Sequence, residues 1–111
     1  MAYDEDLANR IRELLADQDG VSEMTMFGGL AFLLGGNMAV AASGQGGMLV
    51  RVDPVQGEEL ISSARASPMV MRGREMSGWL RVDPQEVRSK RQLEAWVQRG
   101  IAFAGSLPAK G

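Results

Sequence analysis

The sequence predicts an α+β domain, two layers deep, with helices packed on an antiparallel β-sheet. Two observations predict it: a charge-free stretch cut into strand lengths by evenly spaced glycines, and apolar stripes of helical period near both ends of the chain. Between Met24 and Gly47 there is no charged residue, yet the longest apolar run is only Leu30-Ala31-Phe32-Leu33-Leu34. A membrane-spanning helix wants about 20 mostly apolar residues, so a span is not expected. The breaks at Gly28-Gly29, Gly35-Gly36-Asn37 and Gly44-Gln45-Gly46-Gly47 instead leave segments of strand length: Met24 to Phe27, Leu30 to Leu34, Met38 to Ala42 and Met48 to Val52. Such spacing reads as an antiparallel meander. Gly28-Gly29 fits either a tight turn or a bulge inside one long bent strand.

Helices bracket the meander. Asp4, Glu5 and Asp6 precede an apolar stripe of Leu7, Ile11, Leu14 and Leu15, and acids in a first turn suit the helix dipole. Residues 4 to 16 are therefore expected to form an amphipathic helix that ends near Gly20. The stripe Leu93, Trp96, Val97, Ile101, Ala104 and Leu107 predicts a second helix over about 90 to 106, opened by a capping box at Ser89-Lys90-Arg91-Gln92 and closed near Pro108. A shorter helix is expected from Pro54 to about Ala64, with Asp53 as its N-cap. Pro68 to Met71 and Trp79 to Val82 read as a second strand pair, connected through Arg72-Gly73-Arg74-Glu75-Met76-Ser77-Gly78. The expected order is α-β(3-4)-α-β(2)-α. Leu49-Val50-Arg51-Val52-Asp53-Pro54 is echoed by Trp79-Leu80-Arg81-Val82-Asp83-Pro84, which fits two strands that each run into an Asp-Pro stop better than a functional repeat.

Composition narrows the function. With 111 residues, 45% hydrophobic and 23% charged, residues 1–111 suit one domain with a single core. The absence of cysteine and histidine removes disulfides, zinc sites, haem ligation, nucleophile–histidine pairs and histidine acid–base chemistry. No catalytic residue, metal site or cofactor is predicted. The start, Met1-Ala2-Tyr3-Asp4-Glu5-Asp6, has neither the basic nor the apolar region of a secretory signal, so a cytoplasmic location is expected. The net charge of −2 hides an asymmetry: residues 1 to 66 carry ten acids and four bases, while residues 67 to 111 carry four acids and eight bases. An anion partner is accordingly expected only on the second half.

Several segments together resemble one family. They are Met26-Phe27-Gly28-Gly29-Leu30-Ala31-Phe32-Leu33-Leu34-Gly35-Gly36-Asn37-Met38-Ala39-Val40, Leu49-Val50-Arg51-Val52, Gly73-Arg74-Glu75-Met76-Ser77-Gly78-Trp79, and Trp96-Val97 followed by Phe103-Ala104-Gly105-Ser106-Leu107-Pro108. In this order they resemble the TfoX/Sxy N-terminal domain family over nearly the whole chain. The resemblance implies a two-layer α+β domain similar to secretion-chaperone-like folds, in agreement with the order read from the residues. The family takes its name from bacterial regulators of natural competence, in which a second domain follows this one. What the resemblance implies here is a stand-alone single-domain member, of regulatory or interaction type, with no enzymatic activity attached.

Individual motifs mostly have structural readings. Gly44, Gly46 and Gly47 are followed by no Lys-Ser/Thr and open no helix, so they suit a hairpin turn rather than a phosphate cradle. Glu58 and Glu59 point apart on a helix and suit its surface. Met24, Met26, Met38, Met48, Met69, Met71 and Met76 suit core filling, with any exposed remainder marking a protein partner. Trp79 and Trp96 are expected to anchor the sheet–helix interface. Arg72, Arg74, Arg81, Arg88, Lys90 and Arg91 form the one charged constellation able to take an anion or nucleic acid, provided the 72–78 connection lies near the start of the last helix. Interspersed Glu75, Asp83, Glu86 and Glu94 weigh against nucleic acid and favour an ordinary solvated face. A sheet with uncharged strands must also protect its edges, which makes a homodimer an expectation.

Overall fold

The computed structural model describes residues 3–26, 28–63 and 65–109. Their order is α1 (Glu5–Leu14), β1 (Val21–Met26), β2 (Gly29–Leu34), β3 (Asn37–Ala42), β4 (Met48–Arg51), α2 (Pro54–Ser62), β5 (Ser67–Met71), β6 (Arg74–Val82), a 3-10 turn (Pro84–Val87) and α3 (Lys90–Ser106). The α+β expectation holds, with four strands before α2 and two after it. The six strands form one antiparallel sheet in the order β1-β2-β3-β4-β6-β5.

Local chemistry accounts for most boundaries. The Asp4 carboxylate caps α1 by accepting from the backbone N–H groups of Asp6 and Leu7, and Asp53 caps α2 by accepting from that of Val55. The Ser89–Gln92 capping box is formed in both directions, at 3.1 and 3.0 Å. Asp83, its counterpart in the Asp-Pro echo, makes no side-chain cap, and a single 3-10 turn follows it. Met26 pairs with Gly29, so Gly28-Gly29 belongs to a hairpin turn and not to a bulge; Phe27 lies outside the described residues. The last predicted residue of α2, Ala64, lies outside them too. Ser43 and Gly47 close the β3–β4 hairpin through a 3.0 Å backbone hydrogen bond, which assigns the Gly44-Gln45-Gly46-Gly47 cluster to a turn.

Two strands exceed their predicted length by more than one residue. β1 starts at Val21, because Ser22, Glu23 and Thr25 are exposed on an edge strand that needs no apolar alternation. β6 reaches back to Arg74, because a two-residue turn of Arg72 and Gly73, with φ of +53° and +76°, joins it to β5. Two consecutive left-handed residues match the strand twist of a tight hairpin, and a glycine adopts that conformation without steric cost. An arginine there gives little turn signal in a sequence.

Side-chain alternation divides the buried residues between two faces of the sheet. On the first, Leu30, Phe32, Val40, Met48, Val50, Leu80 and Val82 meet Leu7, Ile11, Leu60, Leu93, Trp96, Val97 and Ile101 of the three helices. The second cluster comprises Ala31, Leu33, Met38, Ala41, Leu49 and Met69, with Met26, Met71, Met76 and Trp79 packed against it, and it contains no helical residue. Trp96 thus anchors the sheet–helix interface as expected, whereas Trp79 lies in the second cluster. Bulges at Phe32/Leu33 and Pro68/Met69 bend the sheet. Met69 is only 5% exposed on a terminal strand with no helix over that face, so the sheet's own side chains cover one another.

A bidentate ion pair ties α1 to the edge strand: Arg12 Nε and Nη2 donate to Glu23 at 2.7 and 2.9 Å. Arg12's hydrogen bond holds the Glu23 carboxyl below its usual range. A depressed folded-state value places the stabilisation above the unfolded glutamate value of about 4.3 and removes it as pH falls through the folded value. Glu23→Gln should therefore lower the melting temperature slightly at pH 7 and not at pH 3. Both side chains are largely exposed, so 0.5 M salt should shrink the difference as well. An equal gap at both pH values would refute the pair's role.

Candidate functional site

The predicted basic constellation is divided by the fold. Arg72 and Arg74 sit at the β5–β6 hairpin tip, and Arg81 lies on β6, paired with Leu49 and Ser67. Arg88, Lys90 and Arg91 sit at the other end of that strand, around the start of α3, where Arg10 of α1 donates to the Arg88 carbonyl at 3.0 Å. Arg74 and Val82 are separated by about 26 Å of strand at roughly 3.3 Å per residue. The 72–78 segment is part of a hairpin, so Arg72 and Arg74 form one patch, Arg88, Lys90 and Arg91 form a second, and Arg81 stands on the strand between them. The second patch, completed by Arg10, surrounds the N-terminus of α3 and borders a small hollow of about 130 Å³ lined also by Glu13, Leu14 and Leu93.

A different group of arginines meets in the tertiary structure. A groove of about 540 Å³ separates α2 from α3 and is lined by Asp53 and Gln56 on one side and by Ala95, Arg99, Ala102 and Phe103 on the other. The Arg99 guanidinium lies 4.6 Å from the Trp96 ring centroid. The Arg51 guanidinium lies 5.1 Å from the Trp79 centroid and 5.4 Å from that of Phe103. Burial lowers the Arg99 pKa, and the nearby charge of Arg65 acts in the same direction. Among the described residues the one ion pair within 4.0 Å is Arg12–Glu23, so Arg51, Arg65 and Arg99 have no carboxylate partner. Stacking holds a guanidinium plane in place and leaves its N–H groups free for an oxyanion. Composition by halves hid this group: Arg51 and Arg65 belong to the acidic half and sit far from Arg99 in sequence.

Carboxylates do not converge. Glu58 and Glu59 lie exposed on the outer surface of α2. Among the described residues no three His, Cys, Asp or Glu side chains come together as a metal site, and no helix is long and apolar enough to cross a membrane.

The second sheet face is the other distinctive surface. It carries five of the chain's eight methionines in or against its cluster, and Met24, in line with Met26 on β1, is 53% exposed beside it. Met48 alone among the predicted strand methionines packs in the helix-covered core.

Comparison with known proteins adds one finding. A family model described as the TfoX N-terminal domain matches residues 13–104, a range that runs from α1 into the last turn of α3. No curated protein matches the chain significantly, and no solved structure does. The matched range contains all six strands, α2 and the residues that define both faces of the sheet, and the chain belongs to the TfoX N-terminal domain family.

Proposed function

We propose that this domain is a non-enzymatic regulatory module that works in the cytoplasm by docking another protein on the second face of its sheet. The observation that carries this reading is an apolar second face on which no helical residue packs, rimmed by the partly exposed Met26, Met71 and Met76 and by Met24, which is 53% exposed. A sheet in a two-layer fold ordinarily alternates apolar and polar residues, because its second face meets water. Here Ala31, Leu33, Met38, Ala41 and Leu49 occupy the positions where polar residues would stand. Methionine side chains are flexible and polarisable, which suits a surface that adapts to a docked chain.

The test uses photo-methionine incorporated in the native host. Wild-type protein should cross-link to a defined partner through this face. Met24→Asp with Met71→Asp should lose that partner while keeping a cooperative melt. An unchanged set of cross-links, or turnover of a substrate by the purified protein, would defeat the reading.

A second reading, a weak nucleic-acid-associated regulator, is favoured by one observation: Arg10, Arg88, Lys90 and Arg91 share the N-terminal end of α3. About four phosphate contacts would give a log–log salt slope near −4 on duplex DNA, and Lys90→Glu with Arg91→Glu would abolish binding. The docking reading forecasts no mobility shift at moderate salt.

A further inference from the structure

We propose that two copies of this chain associate through the α2 surface, the outer side of α2 from one copy lying in the α2–α3 groove of the other. The argument is one of charge and exposure. On the outer side of α2, Val55 is 65% exposed, the most exposed large hydrophobic side chain among the described residues, and Glu58 and Glu59 stand beside it. Helix geometry puts Val55, Glu58, Glu59 and Ser62 opposite the buried Gly57 and Leu60. Next to this acidic strip runs the groove lined by Arg99, with the charge of Arg65 close enough to act on Arg99 and the Arg51 guanidinium against the ring of Phe103 in the groove wall.

Neither Glu58 nor Glu59 reaches any of these arginines within 4.0 Å in the same chain. One surface thus holds unpaired anions and unpaired cations side by side. A two-fold axis pairs such strips twice over, since each residue of one copy meets its complement on the other. A single-sign partner would satisfy only half of the patch. Ala95 and Ala102 keep the α3 wall of the groove low, which lets a second helix approach, and Phe103 offers Val55 an apolar contact. The α2 surface borders the methionine face, since Glu58 and Met76 line one hollow, but this association rests on charged pairs and not on the methionines of the docking reading above. Its failure would leave that reading standing.

The experiment is sedimentation velocity of the full chain at 100 µM in low salt. Wild type should be a dimer that weakens at 0.5 M salt. Glu58→Arg with Glu59→Arg, two exposed positions that leave the core untouched, should weaken association at least tenfold. Arg65→Glu with Arg99→Glu should do the same, with circular-dichroism melting to confirm the fold. The four substitutions together should restore the dimer, because the charges are swapped and not removed. A monomeric wild type, a dimer indifferent to either charge reversal, or no recovery in the fourfold variant would each overturn the proposal.

Discussion

Phe32→Ala should lower the unfolding free energy by about 3–5 kcal/mol, the range for deleting a fully buried aromatic. Phe32 is 1% exposed at the middle of β2, paired with Val40 across the strand and placed under the helices, so its removal leaves a cavity between rigid layers. Domains of this size have a total stability of about 5–15 kcal/mol, and a loss of that order should bring the variant close to unfolding at 37 °C. Urea titration read by circular dichroism should show a lower midpoint with an unchanged slope. A drop of less than about 1 kcal/mol would mean that the site collapses onto the void or that the ring is not in the core.

Two glycines of the same helix should respond with opposite signs to alanine. A Cβ at Gly100 would stand 2.5 Å from the Ala39 carbonyl oxygen and 2.7 Å from Val40 Cγ1. Backbone oxygen cannot swing aside, so α3 must lift from β3, and overpacking of this kind costs about 3 kcal/mol. The intrinsic preference of a helix for alanine returns at most about 1 kcal/mol. At Gly105 the added Cβ meets only Leu34 Cδ2, at 3.4 Å, the end of a flexible and half-buried side chain. Gly105→Ala should therefore be neutral or raise the stability by up to about 0.5 kcal/mol. Thermal melts of the two variants, run side by side, check the contrast. Equal effects would show that α3 does not approach β3 as closely as its packing requires.

Of the candidate surfaces, the α3 start was legible because it is local: Arg88, Lys90 and Arg91 lie within four residues around Ser89, and the capping box announces the helix they open. The hairpin tip was not, because Arg72 gives no turn signal although it adopts a left-handed backbone with φ of +53°. The groove arginines were invisible for another reason. Arg51 ends a strand, Arg65 follows a short helix and Arg99 lies mid-helix, so no window of sequence contains them together. Their lack of carboxylate partners is a property of distances that only the folded chain has.

Local physics sufficed for much of the fold. Helix caps, the 3.6-residue stripe of α3, the glycine-punctuated meander and the strand before each Asp-Pro stop all depend on neighbours within a few residues, and all are present in the folded chain. Missing histidine and cysteine likewise bound the chemistry without any coordinates. The tertiary structure decided what no local rule contains: that β6 inserts between β4 and β5, that Trp79 packs against the second cluster, and that the sheet is apolar on both faces. Each depends on pairing between distant segments, where register and layer order follow from which apolar faces can be buried together and not from the preference of any one segment.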